Sequence, residues 1–396
     1  MGITAGAMMI VLAISGGLPE IMWMGNSGMS GSVSSAGMGN TWFADNSPQG
    51  ALENPAMAAE LSEGFFAGVT GYVALDIEKR TRRVYDSFGG VVGESEDSFN
   101  QNFTPFPGGA ALSWSDGTFS AAGGWRAVAT FEYNYSKVIN DNNYVEVAQE
   151  FLEFSGLLNE FALSAAWDSG NTFFLGAGGG ILTGTRSAEY SVAFADPSVT
   201  DIDTDSHTDM SGSVVRGSAG ARAGRVTVTA GVEQVTGIKL ETGGSGITGT
   251  VSNDVTVPVK VKAGAVYTPG NRLMSVFAAD FWWSPTSSVE IDDTDAGLRN
   301  SWGFGAGVEN TLPGNLIARA GFEYDSSPIS SALDRMGFTA GLGWIHDELA
   351  VDAALGFSPV RWDQQAVEWL PAFMPADTLV VEESRTILSL GLTRTF

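Results

Sequence analysis

Residues 315–325 read Asn-Leu-Ile-Ala-Arg-Ala-Gly-Phe-Glu-Tyr-Asp. Leu316, Ala318, Ala320, Phe322 and Tyr324 fall on one side, and Arg319, Gly321, Glu323 and Asp325 on the other. A period of two, with one apolar face and one polar or small face, is the signature of a β-strand lying between two different environments. The pattern recurs at 273–284, where Leu273, Phe277, Ala279, Phe281 and Trp283 oppose Asp280 and Trp282. It recurs again at the chain end, where Leu388, Leu390, Leu392 and Phe396 alternate with Ser389, Gly391, Thr393 and Thr395. Carried outward from residue 64, this reading predicts about fourteen strands, near 64–77, 106–115, 118–135, 145–168, 171–190, 210–222, 225–240, 251–268, 271–284, 298–311, 314–326, 336–346, 348–360 and 384–396. Helical periodicity is scarce.

The connections sort into two kinds. Short turns at 115–117, 168–171, 223–224, 269–271, 313–315 and 346–347 alternate with longer polar segments, the longest being 78–105 and 361–383. A soluble sandwich has no reason to sort its loops this way, whereas a membrane barrel has short turns at one rim and long loops at the other. Strands of ten or more residues are long enough to cross a bilayer at a tilt. The fold expected is therefore all-β: a transmembrane antiparallel β-barrel of about 14 strands in a bacterial outer membrane. A last strand ending in an aromatic residue, Phe396, is similar to the signal read by the barrel assembly machinery, which is one expected partner; outer-membrane lipid is another.

Composition agrees. The 396 residues carry Lys+Arg 20 against Asp+Glu 45, a net charge of −25, and no cysteine. Cysteine zinc sites, disulfide scaffolds and cysteine nucleophiles are excluded, and so acidic a chain is a poor binder of nucleic acid phosphates. Only 16% of residues are charged, and the shortfall is filled by 51 glycines and 11% aromatics. The longest apolar run, 5–18, is too short for a spanning helix, which needs about 20 residues. It fits the apolar core of an export signal, although no Lys or Arg precedes it and no Ala-x-Ala follows, so 1–25 is read as a possible export signal.

Residues 26–60 are rich in Gly, Ser and Ala and contain Asn54-Pro55-Ala56, a turn able to start a short helix through Leu61. Glycines at 176, 178 and 180, at 303, 305 and 307, and at 341 and 343 lie on the non-apolar strand faces. Rows of inward glycine make room, so a plug formed by 26–60 inside a barrel formed by 61–396 is expected.

The stretch Ser34-Ser35-Ala36-Gly37-Met38-Gly39, followed by Ala44-Asp45-Asn46 and then Glu53-Asn54-Pro55-Ala56, resembles the amino-terminal hatch of FadL-type outer-membrane transporters of long-chain fatty acids and other hydrophobic compounds. Arg319-Ala320-Gly321 running into Tyr324-Asp325-Ser326-Ser327-Pro328 is similar to a strand of the same family, and Pro258 through Trp282 to one of its hairpins. The resemblance covers most of the chain in order. It departs at Asn46, where the family carries a second acid. What it implies is a fourteen-stranded barrel with a hatch motif at Gly37, Gly39, Asp45, Asn46, Asn54, Pro55 and Ala56, and passive transport of a fatty acid or aromatic hydrocarbon. It also implies an alternative, since related barrels with this hatch act as a scaffold or shuttle for secreted proteins. Lateral opening at a kink in the third strand is a further implication, and Gly123-Gly124 occupies a similar position.

Other constellations carry less. Asp201, Asp203 and Asp205 lack the glycine and glutamate that a calcium loop needs at its sixth and twelfth positions. His207 and His346 are expected at opposite ends of the barrel, and no Gly-x-Ser-x-Gly elbow exists. Neither an enzyme, a metal site nor a cofactor is expected. Inward ionisable groups are Arg126, Lys260, Lys262 and Arg319 among Glu132, Glu233, Asp280, Glu309, Glu323 and Asp352. They read first as a lumenal salt-bridge ladder. The four cations are also candidates for meeting a fatty acid carboxylate, a contact worth roughly 1.5–3 kcal/mol. Outward aromatics, including Trp125, Tyr133, Tyr135, Trp302 and Trp344, read as interface girdle.

Overall fold

Alternation closes the sheet. In a computed structural model describing residues 26–27, 31–140, 145–170, 172–245, 249–363 and 379–396, fourteen antiparallel strands form a closed barrel. They are β1 (Gly64–Tyr85), β2 (Val91–Ser115), β3 in two pieces (Phe119–Thr130 and Tyr133–Asn140), β4 (Glu146–Asp168), β5 (Phe173–Phe194), β6 (Ile202–Ala223) and β7 (Val226–Gly244). There follow β8 in two pieces (Val251–Thr256 and Lys260–Tyr267), β9 (Val276–Ser284), β10 (Ser301–Leu312), β11 (Leu316–Asp325), β12 (Arg335–His346), β13 (Leu349–Asp363) and β14 (Leu379–Thr395). The circle is completed by β14 pairing with β1, from Leu379↔Arg82 to Thr395↔Phe66. The possible export signal, 1–25, lies outside the described residues.

The apolar face of each strand points outward. Leu112, Leu163, Ile181, Leu342 and Leu390 are between 57% and 73% exposed, on strands spread around the circumference. A soluble protein does not expose a continuous belt of this kind; a belt so exposed needs surroundings as apolar as itself, which the bilayer core supplies. Aromatics ring its lower margin beside the short turns (Phe65, Trp114, Trp167, Phe173, Tyr267, Trp344). Trp302 is outward as expected, but Tyr133 and Tyr135 are almost fully buried and point into the lumen. The sequence pattern missed this because a tyrosine satisfies either face.

The segment 78–105 is not a loop. β1 and β2 continue through it with 22 and 25 residues, paired from Gly64↔Ser115 to Tyr85↔Val91. About ten residues suffice to span the bilayer, so this hairpin stands well above it. There neither face meets lipid: the inner one buries polar groups such as Glu78, Arg80 and Asn100, and outer charges such as Lys79, Arg82, Glu94 and Glu96 erase the apolar marker of a strand. The segment 361–383 likewise shrinks as β13 and β14 extend to Asp363 and from Leu379, with 364–378 outside the described residues. The strand expected at 251–268 is broken around Pro258, which cannot donate to a ladder.

Candidate functional site

Residues 31–61 fill the lumen. Helix α1 (Val33–Gly37) is capped by Ser32, whose Oγ accepts from Ser35 N at 3.2 Å. Helix α2 (Pro48–Glu53) has Ser47 as its cap, accepting from Gly50 N at 3.0 Å, and proline in its first turn. A 3-10 turn, Pro55–Glu60, follows Asn54. Val33, Ala36, Met38, Phe43, Leu52, Ala56 and Ala58 are all buried against the wall.

The inward glycines make this possible. A β-carbon on Gly321 would collide with the backbone of Met38 and Gly39, one on Gly307 with that of Met38, one on Gly305 with the Gly39 carbonyl, and one on Gly176 with the backbone of Pro55 and Ala56. Gly39 itself has φ +73, a region costly to other residues, and its amide donates to Thr339 Oγ1 at 2.8 Å. Gly37 packs on Gly341. Ala56 N donates to Ser218 Oγ at 2.8 Å, and Phe43 N to Asp280 Oδ2 at 3.1 Å. Asp45 accepts from Ser47 N at 3.0 Å inside the hatch, where burial raises its carboxyl above the ordinary range. Asn46, by contrast, is exposed. Asn54 is buried and begins the turn through its carbonyl, which accepts from Met57 N at 2.9 Å.

The inward charges form a ladder. Arg126 bonds Glu53 of the hatch and Glu160 of β4, the latter at 2.7 Å. Glu160, fully buried, also holds Arg216, which reaches Glu233 at 2.7 Å; Glu233 in turn lies 3.4 Å from Lys262. On the opposite wall Arg319 sits between Glu309 (2.6 Å) and Asp352 (2.5 Å). Of the four cationic candidates, only Lys260 has no carboxylate within ion-pair distance among the described residues. Its ammonium lies 4.9 Å from the Trp42 ring and 4.2 Å from that of Trp282. Sequence reasoning missed Glu160, the hub; its signal was a lone acid on the inward parity of an otherwise apolar run.

One seam of the wall is incomplete. The ladder between β2 and β3 runs from Ser115↔Ser120 to Gly109↔Arg126 and stops, although β2 stays paired with β1 up to Val91. Against β4, β3 shifts register between Ala127 and Ala129, breaks, and resumes at Tyr133. Gly156 faces the break with φ +144, its carbonyl accepting from Phe131 N at 3.0 Å. Above Gly109, side chains span the seam. Asn102 Nδ2 donates to Asn134 O (2.9 Å), Ser136 N to Asn100 Oδ1 (2.9 Å) and Lys137 Nζ to Asp97 Oδ2 (2.6 Å). The two-residue strand Asn26–Ser27 pairs with Thr130 and Ala129. Gly123 and Gly124 lie below the break, paired with Leu112 and Ala111 on one side and Leu163 and Ala162 on the other. A small polar pocket inside the seam is lined by Asp76, Glu78, Asn102, Glu132, Tyr133 and Arg385.

This barrel, with its internal hatch and interrupted third strand, has the FadL-type fold. A FadL homologue of Pseudomonas aeruginosa is similar over 94% of this chain and 100% of its own, at 16% identity and a TM-score of 0.62. The toluene transporter TbuX of Ralstonia pickettii (15%, 93% and 99%, 0.58) and the P. putida toluene transporter TodX (14%, 93% and 99%, 0.59) are similar likewise. No protein-family model matches the chain, and no curated protein sequence matches it.

Proposed function

We propose that this barrel carries hydrophobic molecules passively across the bacterial outer membrane and releases them sideways through the β2–β3 seam. The observation that carries the reading is the missing ladder above Gly109↔Arg126 in a wall otherwise lined by apolar belt. The lumen beneath is filled by the hatch, so a straight aqueous pore is not the route. A molecule leaving sideways enters hydrocarbon directly and keeps the burial free energy of its tail, about 0.8 kcal/mol per CH₂. Arg126 links the two parts: it is the last paired residue of β3 at the seam and the cation that holds Glu53 of the hatch. A hatch that shifts must loosen the residue at the foot of the opening.

The cargo is a long-chain fatty acid or an aromatic hydrocarbon, the latter being what the similar toluene transporters are named for. For an acid, Lys260 is the contact of choice, because Arg126, Lys262 and Arg319 already hold carboxylates. Native mass spectrometry of detergent-extracted protein tests the reading. A co-purifying hydrophobic molecule is expected; a barrel that carries none, and that fails to speed uptake of either cargo class into cells, contradicts it. The second reading, a scaffold for secreted proteins, is favoured by the apolar tip of the β1–β2 hairpin, where Phe88 is 94% exposed beside Val91 and Val92. Loss of a surface protein on deletion of that tip, with uptake intact, would select it.

A further inference from the structure

We infer that Pro105 and Pro107 of β2 are the positioning residues that keep the seam from zipping shut, an inference that rests on the lateral-release reading for its functional half. Both prolines lie within the ladder to β1, at Val73↔Pro105 and Gly71↔Pro107. In an antiparallel strand, successive residues direct their N–H and C=O groups alternately to the two neighbours. Proline has no N–H, so rungs to β1 at these positions are made by the flanking residues, Thr104 and Phe106 among them. The ring nitrogens of Pro105 and Pro107 therefore take the two places from which β2 would donate to β3. The β2–β3 ladder ends at Gly109, two residues before Pro107. Beyond it Asn100 and Asn102 bond β3 with their side chains in place of the backbone.

The same relation appears independently elsewhere in the wall. β13 pairs with β14 straight through Pro359↔Ser384, while its ladder to β12 ends at Phe338↔Phe357, again two residues short of the proline. β12 itself continues to Arg335, and Met336 and Gly337 remain paired to β11, so partners were at hand. Pro258 interrupts β8 itself, but Pro105, Pro107 and Pro359 each leave one ladder intact and end the other. At Pro359 this happens at the rim; at Pro105 and Pro107 it happens beside the break in β3.

The test restores the donors. In the double variant P105V/P107V, hydrogen–deuterium exchange over residues 127–137 of the full-length barrel is expected to slow, and uptake of a long-chain fatty acid and of toluene to be lost. P359V should slow exchange near residues 335–337 and leave uptake unchanged. Unaltered exchange over 127–137 in a folded double variant overturns the inference. Slowed exchange with normal uptake upholds the role of the prolines and contradicts lateral release. Should the double variant not fold, P107V alone, which restores the donor next to the last rung, carries the same test.

Discussion

The wall has two contrasting sides. Across β10, β11 and β12 the ladder is unbroken, from Gly303↔Asp325 to Leu312↔Leu316 and from Leu316↔Trp344 to Asp325↔Arg335. Inward glycines there let the hatch backbone touch the wall backbone. Across β2 and β3 the outer face is just as apolar, with Leu112 66% and Phe103 68% exposed, yet the ladder fails above Gly109. The hatch is held on that side by side-chain contacts, foremost the Arg126–Glu53 ion pair. Lipid-facing alternation is thus blind to whether a barrel is sealed. Sealing is decided by backbone donors, and grip on the plug by close approach at glycine.

The sealed side should break first and hardest. Gly321→Leu places a side chain into the backbone of Met38 and Gly39, so loss of the folded barrel or expulsion of the hatch is expected, read as protease cleavage within residues 31–55 of the extracted barrel. Ala318→Leu, on the outward parity of the same strand, should be tolerated. Cleavage of 31–55 as fast in the intact wild-type barrel as in denatured protein would show that the hatch is not a plug. Glu160→Gln comes next. It removes the carboxylate that Arg126 and Arg216 share and leaves them only Glu53 and Glu233; breaking a buried pair costs about 3–5 kcal/mol, the upper bound expected here, measurable by denaturant unfolding in detergent. An exposed pair such as Arg361–Glu382 should yield no more than about 1 kcal/mol when broken. Lys260→Met is the mildest of the lumenal changes. It forfeits stacking on Trp42 and Trp282, worth about 2 kcal/mol or less, and should reduce uptake of a fatty acid more than that of its methyl ester. Equal effects on both would remove Lys260 from the cargo path.

Much of this was legible in the sequence. The alternation at 315–325 gives the faces of β11 correctly, and the inward glycine rows mark where the plug lies, because room without a side chain is needed only if something fills it. The tall β1–β2 hairpin was not legible, since above the membrane no apolar face distinguishes strand from loop. Nor was the seam. Glycines 123 and 124 sit in intact ladder, and the informative residues are prolines of the neighbouring strand. Of the main ion-pair network only Arg126, Glu233 and Lys262 were readable as inward charges; Glu53, Glu160 and Arg216 were not, because they join it only when the sheet closes around the hatch.

The most direct test joins the two lips of the seam. With Asn102→Cys and Asn134→Cys in a chain that has no other cysteine, a short reducible bis-thiosulfonate linker bridges β2 to β3 where the Asn102 side chain already meets the Asn134 backbone. The same linker between Ala318→Cys and Leu342→Cys, register partners on the sealed side, serves as control. Uptake of a long-chain fatty acid should collapse with the seam linked, return on reduction, and ignore the control link. Undiminished uptake through a barrel whose seam is demonstrably linked would contradict lateral release.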